Sequence, residues 1–91
     1  MNSYVVVATF RESVTQDEIR AQIPAERVQA KLLDEYGLIG VIKVAMPKWT
    51  VFIEAFGRDD QSAFETIHSL PLAKLWDFEL FPITPLAGAN V

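Results

Sequence analysis

The chain has 91 residues, of which 51% are hydrophobic, with 8 Lys plus Arg against 12 Asp plus Glu, a net charge of −4, one histidine and no cysteine. These figures exclude disulfide staples, thiolate catalysis and Cys- or His-rich metal centres, and the lack of any basic cluster argues against a nucleic-acid partner. A domain this short buries only about 60–65% of the surface its unfolded chain exposes, so its apolar excess predicts an interface or a pocket.

Ser3 to Arg11 is β-branched and aromatic on both faces, which predicts a central first strand covered on two sides. Thr15 with Glu18 fits a capping box, and Asp17 and Glu18 suit the positive end of a helix. Ile19 and Ile23 fall on one face of that helix. Pro24 cannot continue a regular helix, so the reading is two pieces kinked there. The second piece carries Val28, Leu32 and Tyr36 at spacing four, with Leu33 beside them, and Gly37 closes it. Leu38 to Met46 is the second strand, Pro47-Lys48 the turn, and Trp49 to Phe56 the third strand. Asp59 or Asp60 caps a second helix that points Ala63, Phe64 and Ile67 at the core, and Pro71 marks its end. Trp76 to Thr84 is the fourth strand, with Pro82 implying an edge or a strand end. Ala87 to Val91 read as a tail.

The order βαββαβ with right-handed crossovers predicts a ferredoxin-like α+β unit over residues 1–91: a four-stranded antiparallel sheet with both helices on one face. The other face is left bare. Pairing Val44 with Val51 and Ile42 with Ile53 across the hairpin places Gly40, Ile42, Val44, Val51, Ile53 and Ala55 beneath the helices. The opposite face then carries Val41, Lys43, Ala45, Thr50, Phe52, Glu54 and Phe56, joined from the fourth strand by Asp77, Glu79 and Phe81. The charges alone fit a solvated strand face. Together with Phe52, Phe56 and Phe81 they fit better a face that closes over a small chamber when two copies meet. Lys43 and Glu54 are diagonal neighbours, so the pattern also predicts an ion pair between them.

On this reading Glu54 is the candidate base, because apolar neighbours raise a carboxylate toward neutrality. Lys43 is placed to hold a substrate carboxylate, and Thr50 to donate a hydrogen bond. Tyr36 is a candidate for reaching the chamber from the first helix. His68 reads as a partner for the helix C-terminus, and Trp49 and Trp76 as packing or interface anchors. No glycine-rich phosphate loop, nucleophile elbow or metal-ligand spacing occurs, and neither a cofactor nor a metal is expected. The N-terminus lacks a basic segment followed by a long apolar run, and no apolar stretch approaches the roughly 20 residues needed to span a bilayer. The expectation is a cytoplasmic protein without a membrane partner.

Leu70-Pro71-Leu72, four residues, then Asp77-Phe78-Glu79-Leu80 resembles the second-helix end and last strand of the muconolactone isomerase family. Thr84-Pro85-Leu86 resembles that family's C-terminal pattern, and Glu26 to Gly37 its charged, glycine-closed helix. The resemblance implies a dimeric α+β barrel, in which two ferredoxin-like units press their sheets together and often assemble into rings. It implies a cofactor-independent isomerase that moves a double bond in a small lactone by proton transfer. Asp77 and Glu79 fall within the matching motif, which makes Glu79 a catalytic candidate beside Glu54 and Lys43. The substrate-binding candidates are Thr50, Phe52, Phe56, Asp77, Phe81 and Tyr36. The chain departs from the family at Lys43-Val44, where the family has Trp-Arg, at the shorter Pro47-Lys48 turn, and at Ala87-Gly88-Ala89, where the family has a histidine. Two other functions fit the same residues: a non-catalytic module that binds a small ligand or builds an oligomer, and a cofactor-free monooxygenase of the same superfamily.

Overall fold

The structure is a computed structural model and describes residues 1–84. The tail and most of Thr84-Pro85-Leu86, with Ala87-Gly88-Ala89, lie outside the described residues. Strands β1 (Asn2–Phe10), β2 (Ile39–Ala45), β3 (Thr50–Gly57) and β4 (Trp76–Ile83) alternate with helices α1 (Gln16–Glu35) and α2 (Asp60–His68), and a short 3-10 segment, Pro71–Leu75, precedes β4. The sheet order is β2-β3-β1-β4, with every pairing antiparallel. This is the expected ferredoxin-like α+β arrangement.

Local chemistry starts and stops each helix. The Thr15 hydroxyl accepts from Glu18 N–H at 3.2 Å while the Glu18 carboxylate accepts from Thr15 N–H at 3.0 Å, a complete capping box. At the other end Gly37 takes φ 72°, a conformation cheap only for glycine. Gly37 N–H then donates to Asp34 and Leu38 N–H to Leu33, closing the last turn in the Schellman pattern. In α2, Asp59 is the cap, accepting from Ser62 N–H at 2.8 Å, and that bond holds its carboxyl below the usual carboxylate range.

Several expectations about α1 are corrected. The helix does not divide at Pro24 but runs unbroken from Gln16 to Glu35. Pro24 is exposed, so the Arg20 carbonyl left without a donor meets water rather than the core. Its buried stripe is also not the spacing-four set. Val28 and Tyr36 are 72% and 70% exposed, while Ile19, Ile23, Ala30 and Leu33 pack toward the core and Glu26 is half-buried between them. Steps of exactly four drift about 40° per turn of a 3.6-residue helix, whereas alternating four and three stays on one face. In α2, Ala63 and Ile67 are buried as expected, but Phe64 lies on the flank, stacked on His68 and tilted against Phe78.

The core forms between the helices and one side of the sheet. Tyr4, Val6 and Ala8 of β1 and Val51, Ile53 and Ala55 of β3 fill it, with Leu70, Leu72 and Leu75 from the α2–β4 connection and Trp76 from the start of β4. The β2–β3 register is the expected one at Val44–Val51 and Ile42–Ile53. The loop is wider than a Pro47-Lys48 turn: Met46 to Trp49 all lie in it, and Trp49 takes φ 51°, a costly conformation for a bulky side chain. Toward the start of β2 the register shifts between Ile39 and Ile42, where two residues of β2, Gly40 and Val41, face one of β3, Glu54. This bulge moves Gly40 off the helix side, where strict alternation put it, and gives that place to the buried Ile39.

Candidate active site

The helix-free face reads as rows across four strands. One row runs Lys43, Phe52, Val7, Glu79, the next Glu54, Val5, Phe81, and a third Ala45, Thr50, Thr9, Asp77. Phe56 pairs with Ser3 beyond them. Period-two alternation thus brings eight of the nine sequence-derived candidates to one face. The ninth, Tyr36, stands outside it: it is the solvent-exposed C-cap residue of α1, not part of an inner stripe.

Within the face the candidates separate into two hollows. Lys43, Phe52 and Glu54 line one of about 270 Å³ with Val5 and Val41. Asp77, Glu79 and Phe81 line another of about 400 Å³ with Val7 and Thr9. Lys43 and Glu79 sit at opposite ends of their row, three strand spacings or roughly 14 Å apart. One small substrate on a single copy does not touch both.

Glu54 owes its pose to the β2 bulge. Its Oε1 accepts from Val41 N–H at 3.1 Å, a donor that the bulge frees from the ladder. Gly40 makes this possible, because a β-carbon there would collide with that same oxygen. The expected Lys43–Glu54 ion pair is not formed. Among the described residues the one salt bridge joins Arg20 and Asp17 on α1, at 3.7 Å. The bulge has turned the carboxylate toward the backbone, and Lys43 lies opposite Phe52 with no carboxylate partner among the described residues. A carboxylate held by one backbone donor, with a lysine and three apolar side chains in the same hollow, can accept a proton from carbon and steady an anionic oxygen.

One carboxylate escaped the sequence reading. Glu26, on the inner stripe of α1, accepts from Leu72 N–H at 2.8 Å, and burial pushes its carboxyl above the usual range. The signal was its spacing, three residues after Ile23 and four before Ala30, which puts a charge where an apolar residue belongs. No group of three or more His, Asp or Glu is arranged to hold a metal among the described residues, and no described helix is long and apolar enough to cross a membrane.

No family model matches the sequence, and neither does any curated protein. A solved structure does match. Muconolactone isomerase, in its crystal structure at 3.3 Å resolution, superposes with a TM-score of 0.77 over 98% of this chain and 95% of that one, at 13% sequence identity. The chain has the muconolactone isomerase fold. What the two share at 13% identity is the fold. The residues on that face are this chain's own.

Proposed function

We propose that the chain is a cofactor-independent isomerase, or a related lyase, acting by proton transfer on a small apolar metabolite that carries a lactone or carboxylate. The observation that supports this best is the pose of Glu54: an oriented carboxylate over Gly40, in an apolar hollow that Lys43 also lines. Glu54 removes a proton from the carbon next to a carbonyl. The electron pair moves into the enolate, whose oxygen Lys43 stabilises, and the protonated Glu54 returns the proton at the conjugated carbon. The double bond shifts and no atom is lost. Phe52, Val5 and Val41 hold the carbon skeleton and exclude water, which strengthens both charges.

The hollow is shallow in one copy, so the reading includes a homodimer in which a second chain closes the face, with larger rings built from such pairs. Thr50, Phe56, Asp77 and Phe81 then line the closed chamber, and Glu79 reaches the reacting centre only from the second copy. The test is Glu54→Gln assayed on muconolactone-type lactones. Glutamine keeps an oxygen for Val41 N–H, so the fold is retained while turnover falls by at least 10²-fold, the usual contribution of a positioned base. Unchanged turnover removes Glu54 as the base.

One observation favours a second reading, a ligand-binding module without turnover: the Glu54 carboxylate already serves the backbone at the bulge. A purified protein that retains an apolar compound but turns over no lactone, in wild type and Glu54→Gln alike, decides for it.

A further inference from the structure

The helix-free face is charged unevenly, and the unevenness has a direction. The four strands carry one cation, Lys43, on the edge strand β2, while Asp77 and Glu79 stand on the opposite edge strand, β4. Lys43 and Glu79 close the two ends of a single row, Lys43-Phe52-Val7-Glu79, and both are exposed in one copy. Neither has a partner of opposite charge among the described residues. Between them the face is apolar, with Phe52 exposed and Val5 and Val7 half-buried.

Two copies that press such faces together obey a two-fold axis lying between the sheets. In an aligned packing that axis runs either across the strands or along them. Across the strands, every strand lies over its own counterpart. Lys43 then meets only β2, which has no acidic residue, and Glu79 meets only β4, where Asp77, Glu79 and Phe81 share its side. The cation goes unmatched and carboxylate falls on carboxylate, which opposes association. Along the strands, between β3 and β1, the axis lays β2 over the second copy's β4 and keeps every row over itself. Lys43 then faces the second copy's Glu79, Phe52 faces Val7, and Thr50 faces Thr9, each contact being made twice. Sheets packed face to face lie about 10 Å apart, a gap that an extended lysine and a glutamate bridge between them.

We propose, on the reading that a second copy closes this face, that two reciprocal Lys43–Glu79 ion pairs hold that copy with the two-fold axis along the strands. The hollows support the same axis. The one lined by Lys43 and Glu54 lies toward β2, and the one lined by Asp77 and Glu79 lies toward β4. The axis therefore sets each hollow over the other kind. Two equal chambers result, each walled by Lys43 and Glu54 from one copy and by Asp77 and Glu79 from the other. Charges that a single copy keeps three strands apart meet between copies.

Charge reversal tests the pairing through association, read by sedimentation at micromolar concentration. Lys43→Glu or Glu79→Lys alone sets like charges together twice in every pair, and each is expected to weaken self-association about thirtyfold. An equimolar mixture of the two variants restores both opposite-charge contacts and is expected to associate within about threefold of the wild type. The doubly reversed chain, Lys43→Glu with Glu79→Lys, is expected to do the same, which a lost fold would not allow. Both side chains are exposed in one copy, so circular dichroism should show the variants folded. Single variants that associate as tightly as the wild type overturn the proposal. So does a mixture no tighter than its components, or a doubly reversed chain that stays apart. Those results leave a closed chamber standing, since the wild type still pairs. A wild type that sediments only as the 10.2 kDa species overturns both the orientation and the chamber.

Discussion

The two faces of β3 are made from the same eight residues and have opposite characters. Val51, Ile53 and Ala55 are sealed beneath the helices, whereas Thr50, Phe52, Glu54 and Phe56 alternate with them on a side that no helix covers. The sealed face of β3 carries no polar side chain. The open face mixes an aromatic ring 39% exposed with a carboxylate and, across the pair, a lysine. Apolar surface without charge makes a core, and charge without apolar surface makes a solvated edge. A strand face with both is suited to meet something other than bulk water.

The largest effect that sharpens this contrast is Ile53→Ala. Ile53 is 1% exposed at the centre of the sealed face, and its truncation is expected to cost about 2–5 kcal/mol. The loss, read from urea denaturation, is independent of protein concentration. Phe52→Glu, one residue away, behaves differently if a second copy covers the open face. We expect the wild type to sediment at twice 10.2 kDa or more at micromolar concentration. The variant then weakens association by about thirtyfold, on the order of 2 kcal/mol. Sedimentation of the wild type as the 10.2 kDa species would erase the distinction, and Phe52 would be one more tolerated surface aromatic.

Gly40→Ala probes the seam between the two faces. The new methyl group displaces Glu54 Oε1 and presses on the Glu54 β-carbon at 3.3 Å, an overpacking expected to cost about 1–2 kcal/mol. It also strips Val41 N–H of its acceptor. If Glu54 is the base, lactone turnover falls in Gly40→Ala even though every ionisable group is retained. Stability that falls while turnover holds would mean that the carboxylate serves the bulge alone.

Much of this was legible in the sequence, for identifiable reasons. The Thr15–Glu18 box, Gly37 and the Asp59 cap are local signals read by neighbouring backbone, so they survive into the fold unchanged. The hairpin register followed from alternation on both of its arms, even though the loop proved wider than a two-residue turn. What alternation cannot carry is its own interruption. The bulge at Gly40 resets the parity of β2, and with it the surroundings of Glu54, so the expected Lys43 pair gave way to a backbone donor. A glycine inside a strand pattern was the available clue. The stripe of α1 was misplaced for a related reason. Val28, Leu32 and Tyr36 are the more apolar series, but helix geometry selects the 19-23-26-30-33 positions, polar Glu26 included.

Glu26 supplies the smallest effect, and the one that asks whether the sealed side is as intolerant of charge as it looks. Burial raises its carboxyl, and the Leu72 N–H bond opposes that rise only in part. A raised folded value means that the fold favours the protonated form. The resulting stability is fully present below the unfolded value, about pH 4.3, and is lost as pH rises through the folded one. At neutral pH the ionised carboxylate is therefore a burden, though a half-buried one that water screens to a few tenths of a kcal/mol. Glu26→Gln keeps an oxygen for Leu72 N–H and removes the charge, so its denaturation midpoint should lie slightly above the wild type at pH 7. The gap should close as the pH approaches 4, where the wild-type side chain also becomes neutral. A variant less stable at pH 7, by a margin that shrinks toward pH 4, would show instead that the charged hydrogen bond to the 3-10 segment outweighs the desolvation of Glu26. The inner side of α1 would then hold its carboxylate as a fastener between helix and segment.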